Sequence, residues 1–192
     1  MTSLNPIERC ALIDLTDLPR VGFRGADSAA WLAGRGYQLP DAPNRALTQD
    51  DDTLVARLSQ TEYLLLGSLD DRGARVATEE SGWQFDDSAN YLLPRQDSHA
   101  WLQLSGRHVT EVMAKLCGVD LHPRAFPPGA VAQTSAARIN VIVINAGMAE
   151  LPRLHILFDR PSLQYFRDAL LDAMGEFGGQ PVALDALLCR MG

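Results

Sequence analysis

Hydrophobic and polar positions follow the same order twice along this chain. Alternation of apolar and other residues over 21–25 predicts a half-buried strand, which leads through Gly25 into a short helix. A second strand over 100–105 leads through Gly106 into a helix over about 107–117, whose apolar residues recur at helical spacing. The matched order predicts two copies of one structural unit, with Gly25 and Gly106 at equivalent turns.

Further strands are predicted after each helix. They are expected over 54–59 and 63–66 in the first copy and over 131–137, 139–145 and 153–158 in the second, where a final helix runs from Pro161 through Met174. The hairpin of the second copy is predicted to turn at Ala137 and Arg138. Aligning the copies matches 54–58 with 131–135 and 63–66 with 155–158.

Two copies are too few for a solenoid, which needs about three or more repeats to bury a continuous core. The chain is therefore expected to form a single domain over 1–192, with repeat units at approximately 8–68 and 98–176. Each unit is predicted as β-α-β-β-α. The expected fold class is α+β, with two pseudo-symmetric units, mainly antiparallel sheets and helices packed on them.

Two stretches between these elements have no clear period. Residues 36–52 contain prolines and an acidic run, and are expected to form a loop. Residues 70–99 are predicted to hold a short helix ending near Glu80 and two edge strands at 83–85 and 91–93.

The composition is that of an ordinary globular protein, with 46% hydrophobic and 21% charged residues among 192. A net charge of -7 argues against a nucleic-acid-binding surface, which is usually basic. No run approaches the roughly 20 apolar residues that span a bilayer. The N-terminus lacks the basic and apolar regions of a secretory signal, and the three cysteines have no metal-like or redox spacing. A cytoplasmic location is expected.

The sequence offers no catalytic or cofactor-binding motif. It lacks GxGxxG after a strand, GK[ST] and GxSxG, and Ser105-Gly106 resembles a nucleophile elbow only in lying at a strand-to-helix turn. The carboxylate pairs Glu79-Glu80 and Asp86-Asp87 would need burial to gain the raised pKa of a general acid. The four histidines, which fit no zinc spacing, are His99, His108, His122 and His155. No catalytic, cofactor-binding or metal-binding residue is expected on this chain.

Several runs of residues nevertheless resemble a known family. Residues 11–16 and 21–32 are similar to the opening of the folate-binding aminomethyltransferase superfamily, although Asp17-Leu18 stands where those enzymes have His-Met. The second half resembles the gamma subunit of heterotetrameric sarcosine oxidase through Ser105-Gly106 and the runs LCGVDL at 116–121, FPPGAVAQT at 126–134 and LFDRPSLQYF at 157–166. The resemblance covers roughly residues 8–176.

The resemblance implies a small structural subunit of a flavin-dependent complex that demethylates sarcosine to glycine, with folate-linked one-carbon transfer on other subunits. Its partners would be alpha, beta and delta subunits. The implied cofactors of the complex, FAD, FMN, NAD, tetrahydrofolate and zinc, would all lie on those other subunits. The gamma subunit itself is implied to carry no catalytic residue.

Two alternatives remain open at this point. The chain could be a stand-alone folate-binding protein, although it lacks the Lys-Gly-Cys-Tyr-type motif of the iron-sulfur maturation relatives. It could also be a gamma-type subunit of a related N-methyl amino acid dehydrogenase, because the substrate contacts would lie on another subunit.

A partner-binding surface is expected to use exposed aromatic residues. Trp83, Phe85 and Tyr91 stand among polar neighbours with weak periodicity, and Phe126 precedes the rigid Pro127-Pro128 pair. Aromatic side chains are favoured at the centres of interfaces. These four residues are the predicted interface.

Overall fold

The computed structural model describes residues 5–147 and 151–185, which contain five helices and eleven strands. In chain order they are α1 (Pro6–Arg9), β1 (Ala11–Asp14), β2 (Arg20–Arg24), α2 (Ser28–Gly34), β3 (Arg45–Thr48), β4 (Leu54–Arg57), β5 (Glu62–Leu66), α3 (Ala74–Gly82), β6 (Tyr91–Pro94), β7 (His99–Ser105), α4 (Val109–Ala114), β8 (Val131–Ala136), β9 (Ile139–Asn145), β10 (Arg153–Asp159), α5 (Leu163–Met174) and β11 (Gln180–Val182). Two short 3-10 turns flank α5.

The chain divides into two compact units. Unit 1 takes in the described residues of the ranges 1–16, 99–128 and 132–192, and unit 2 those of 17–98 and 129–131. Unit 1 contains a six-stranded sheet in the order β11-β1-β7-β10-β9-β8, and unit 2 a five-stranded sheet in the order β3-β4-β5-β2-β6. Every pairing with a described register is antiparallel except β1 with β11.

Five strands of each sheet follow the same spatial order. The series β8-β9-β10-β7-β1 in unit 1 matches β3-β4-β5-β2-β6 in unit 2, and each unit has one helix after its strand-to-helix turn and one after its last hairpin strand. The predicted α+β class with two pseudo-symmetric units is confirmed. The predicted alignment of β4 with β8 is wrong, because β4 occupies the position in its sheet that β9 occupies in the other. The counterpart of β8 is β3, a strand that lies within the expected loop over 36–52.

The strand-to-helix turns of the two units share one backbone geometry. Gly25 follows β2 with φ +149° and Gly106 follows β7 with φ +115°. In each turn, the backbone amide two residues after the glycine donates a hydrogen bond to a carbonyl of a neighbouring segment. Asp27 donates to Ala89, and His108 donates to Arg9. Only glycine fits, because an added Cβ would lie 1.9 Å from the Ala89 oxygen or 2.6 Å from the Arg9 oxygen.

The hairpin predicted in the second half is also present. Ala137 and Arg138 have φ values of +47° and +68°, which is the type I′ geometry preferred between twisted strands.

Two other predicted elements differ from the structure. The helix α4 covers Val109–Ala114 and is shorter than the predicted helix over 107–117. Residues 83–85 form no strand, whereas β6 is an edge strand as expected.

Each unit has its own apolar packing. In unit 2, a buried cluster joins strands, helices and loops, and consists of Val21, Phe23, Leu32, Tyr37, Val55, Tyr63, Leu65 and Val76. In unit 1, Phe158 of β10 packs against Phe166 of α5 with ring centroids 4.5 Å apart. The helix α5 thereby covers one face of the six-stranded sheet.

Candidate interaction surface and polar cleft

Three of the four predicted interface residues form one aromatic cluster in unit 2. The ring centroid of Phe85 lies 6.4 Å from that of Trp83 and 6.4 Å from that of Tyr91. Phe85 is 76% exposed and Tyr91 is 49% exposed, while Trp83 is partly buried against the apolar cluster of unit 2. We call Trp83, Phe85 and Tyr91 the aromatic surface.

The fourth residue, Phe126, does not lie at the surface. Its side chain is only 5% exposed, so the expectation of an exposed anchor on a stiff segment is wrong. The backbone carbonyl of Phe126 accepts a hydrogen bond from Asn145 Nδ2 at 2.7 Å, and its amide donates to the His122 carbonyl. These bonds hold the segment with its phenylalanine inward, and Phe126 belongs to the packing of unit 1.

Hydrogen bonds fix the loop that carries the aromatic surface. The indole Nε1 of Trp83 donates to the Asn90 carbonyl at 3.3 Å. The Ala89 amide donates to Asp27 Oδ2 at 2.7 Å, and the Asp27 amide donates back to the Ala89 carbonyl at 3.0 Å. The loop is therefore tied to the start of α2, so the exposure of Phe85 is a feature of a held conformation.

A cleft of about 670 Å³ opens in unit 1 beside the hairpin of β8 and β9. Its apolar part includes Ile142 and Leu157, which are cross-strand neighbours, and its polar part includes the cross-strand pair His99 and Asp159. The remaining lining residues are Gln133, Thr134, Arg138, Ile139, Asn140, Val141, Phe158 and Ser162. The lining residues come from four separate segments of the chain, which is why the sequence pattern did not indicate this cleft.

A buried polar pair lies on the central strands of unit 1. Trp101 of β7 is 2% exposed, and its indole Nε1 donates to Nδ1 of His155 on β10 at 3.0 Å. The accepting Nδ1 must be unprotonated, which makes the imidazole neutral. Burial, assisted by the charge of Arg153, lowers the pKa of His155 to about 3. His155 is thus a hydrogen-bonded core residue, as its position in a strand suggests.

The neutral state of His155 makes a pH-dependent contribution to stability. Because the pKa falls from 6.5 in the unfolded chain to about 3 in the fold, the unfolded chain binds the proton first as the pH drops. The contribution is therefore complete above about pH 6.5 and is lost toward pH 3, by about 1.4 kcal/mol per pH unit. His155→Gln should flatten the decline of unfolding free energy between pH 6.5 and 5, measured by urea titration.

The matched control for this measurement is His122→Gln, which removes an exposed histidine. The same slope in the wild-type protein and in His155→Gln would contradict the assignment of a buried neutral imidazole.

A network of charged and aromatic side chains joins α2, α3 and the intervening loop of unit 2. Glu79 is 6% exposed, forms an ion pair with Arg35, and accepts a hydrogen bond from Tyr37 Oη at 3.4 Å. Arg75 lies over the Tyr37 ring at 4.0 Å and pairs with Asp51 at 2.6 Å. Burial and the charge of Glu79 raise the pKa of Tyr37, so the phenol stays protonated. These partners give the network a structural role.

One carboxylate of the acidic run at 50–52, that of Asp51, is engaged in hydrogen bonds. Burial raises the pKa of Asp51, but the hydrogen bonds from Arg75 and Thr53 outweigh it and hold the pKa below its usual value. Asp51 is therefore ionised at neutral pH and engaged within unit 2.

The other candidate reactive groups are held by burial or by hydrogen bonds within the chain. Ser105 is fully buried, and its Oγ accepts a hydrogen bond from Gln103 Nε2 at 2.9 Å, which differs from the exposed serine of a nucleophile elbow. Burial, followed by the charge of Glu111, raises the pKa of the Cys10 thiol to about 11, so the thiolate is scarce at neutral pH. The Ser88 hydroxyl and amide lower the pKa of Asp86, opposite to the shift a general acid requires.

Within residues 5–147 and 151–185, no group of three histidine, cysteine or acidic side chains is arranged to hold a metal ion. None of the helices described there is long and apolar enough to cross a bilayer.

Comparison with known proteins identifies the family. No family model matches the chain. The sarcosine oxidase subunit gamma of an Arthrobacter species is 31% identical over 178 residues, with 85% of this chain and 79% of that protein covered. The subunit gamma of Corynebacterium sp. strain U-96 is 32% identical over 162 residues, with 81% and 72% covered. This chain belongs to the sarcosine oxidase gamma subunit family.

Solved structures agree with membership of the gamma subunit family. A chain of the heterotetrameric sarcosine oxidase from Corynebacterium sp. U-96, in complex with pyrrole 2-carboxylate, matches with a TM-score of 0.71 at 27% identity, over 92% of this chain and 89% of that one. The glycine cleavage system aminomethyltransferase T from Bartonella henselae matches with a TM-score of 0.65 at 15% identity, over 91% of this chain and 48% of that one. The second likeness shows the aminomethyltransferase fold alone. The predicted resemblance to the gamma subunit family is confirmed. The predicted resemblance to the aminomethyltransferases is confirmed for the fold.

Proposed function

We propose that this chain is the non-catalytic, structural gamma subunit of a heterotetrameric, flavin-dependent sarcosine oxidase. The single observation that carries the proposal is the match to a chain of such a heterotetramer over 92% of this chain. The surroundings of the candidate groups support a role without catalysis, because Ser105 is buried, the Cys10 thiol is protonated and Glu79 is neutralised by Arg35.

The remaining parts of the assembly follow from this proposal. The alpha, beta and delta subunits would hold FAD, FMN, NAD, tetrahydrofolate and zinc, and would oxidise sarcosine to glycine and transfer the one-carbon unit. The gamma chain would act as a single domain of two units in a cytoplasmic complex. Its part would be to supply surfaces that hold the catalytic subunits in place.

An experiment on the chain alone tests the non-catalytic role. We expect the full chain, expressed without partners, to show no visible absorption at the flavin bands and no sarcosine-dependent peroxide formation. The same assays on the complete complex serve as the positive control. Flavin bound in stoichiometric amount to the chain alone, or peroxide formation by it, would contradict the proposal.

A further inference from the structure

The aromatic surface leaves large apolar side chains in water at a cost. Removal of a phenylalanine side chain from water is favourable, and Phe85 forgoes most of that gain because it is 76% exposed. Tyr165, which is also exposed, at 53%, differs because its hydroxyl donates to the Ala137 carbonyl at 2.9 Å. Phe85 has no such polar group to bond within the chain, so burial against another molecule is what its position favours.

The loop is already in a fixed conformation. The hydrogen bonds from Trp83 to Asn90 and between Asp27 and Ala89 hold both of its sides. A surface that is ordered before binding loses little conformational entropy when it docks. This distinguishes the aromatic surface from a loop that happens to expose a hydrophobic side chain.

The charge around the aromatic surface is negative. Residues 79–90 contain four carboxylates and no lysine or arginine. Glu79 is buried and paired with Arg35, and Glu80 is partly buried. Asp86 and Asp87 follow Phe85 directly in the chain and are both exposed. On the other side of the surface, Arg24 of β2 lies opposite Tyr91 with its side chain 66% exposed. It shares Glu62 with Arg95, whose guanidinium lies 2.8 Å from that carboxylate. The surface therefore combines aromatic rings with an acidic border on the side of Phe85.

We propose that this acidic aromatic surface docks into a groove with an apolar floor and a lysine- or arginine-rich border on another subunit of the heterotetramer. The inference rests on the proposed function and names the partner's chemistry. Basic side chains would complement the carboxylates and could also stack on the ring faces. A second copy of this chain fits poorly, because a two-fold contact would place the acidic border against itself.

The test compares assembly of tagged full-length variants coexpressed with the other subunits of the complex. Phe85→Ser with Tyr91→Ser should weaken association roughly thirtyfold, the size expected for aromatic residues at an interface centre. Asp87→Lys should weaken it as well, and wild-type association should fall as salt is raised. Leu47→Ser is the control, since Leu47 is 40% exposed in the same unit but lies outside the aromatic surface; it should assemble normally.

The outcomes separate this inference from the proposed function. Failure of the wild-type chain to assemble with any other subunit would contradict the proposed function. Normal assembly of both the wild-type chain and the double variant would overturn the inference alone. Loss of self-association in the double variant, with hetero-assembly intact, would assign the surface to a second copy and also overturn it. If the double variant does not melt as cooperatively as the wild-type chain, Asp87→Lys at an exposed position carries the test, and normal assembly of that variant would overturn the inference.

Discussion

Substitution of Gly106 by alanine is expected to destabilise the protein by about 3 kcal/mol or more. The backbone there has φ +115°, which residues with a Cβ rarely adopt. The added Cβ would also lie 2.6 Å from the carbonyl carbon and oxygen of Arg9. These are backbone atoms, so the end of α1 or the turn itself would have to move. Gly25→Ala should be at least as damaging, because its Cβ would lie 1.9 Å from the Ala89 oxygen.

The matched control is Gly34→Ala in α2. An added Cβ there meets nothing within 4 Å, and alanine is favoured over glycine in helices by about 0.5–1 kcal/mol. Urea titrations of the three variants should therefore give two large losses and one neutral or stabilising change. A Gly106→Ala protein as stable as Gly34→Ala would contradict the described turn.

Replacement of Trp101 by alanine should cost about 4 kcal/mol of unfolding free energy. The indole is 2% exposed at the centre of the six-stranded sheet, and its removal leaves a cavity. It also deprives His155 Nδ1 of the donor that lies 3.0 Å away. The two losses can be separated with Trp101→Phe, which keeps most of the volume but removes the N–H; this variant should lose about 1–2 kcal/mol.

Chemical denaturation at pH 7 measures both Trp101 variants. We expect Trp101→Ala to lower the free energy of unfolding clearly more than Trp101→Phe does. Small and equal losses of unfolding free energy in the two variants would contradict the close packing of Trp101 in the structure.

Local elements could be predicted from the sequence because their signals are local. Turn residues and alternating strands predicted the hairpin at Ala137 and Arg138, and the glycines predicted the turns at Gly25 and Gly106, whose positive φ values bear this out. The strand β3 was missed because prolines and the acidic run around it are typical of loops. Residues 45–48 have only a weak alternating pattern of their own.

Strand order could not be predicted, because it depends on pairings between distant segments. β1 joins the sheet of unit 1 beside β7, although 84 residues lie between Asp14, where β1 ends, and His99, where β7 begins. β6 joins the sheet of unit 2, although β7 of the other sheet follows it closely in the chain. Two repeats that simply follow one another in the sequence would not predict that β1, which precedes the first repeat, lies in the sheet of the second. The wrong alignment of β4 with β8 has a different origin, since it follows from the strand β3 that was not predicted.

The candidate surface was predictable only in part. Weak periodicity among polar neighbours correctly indicated exposure for Phe85 and Tyr91. The same reasoning failed for Phe126, because prolines stiffen a segment without deciding which side of it faces water. The bond from Asn145, 19 residues away, decides that orientation.

The central claim is that this gamma-family chain works as one subunit of a four-part flavoprotein. Its most direct test is native mass spectrometry of the protein purified from its source under non-dissociating conditions, with an absorption spectrum of the same sample. The account predicts a flavin-containing assembly in which this chain accompanies three other chains. Recovery of the chain as a colourless monomer, with no other subunit bound, would contradict it.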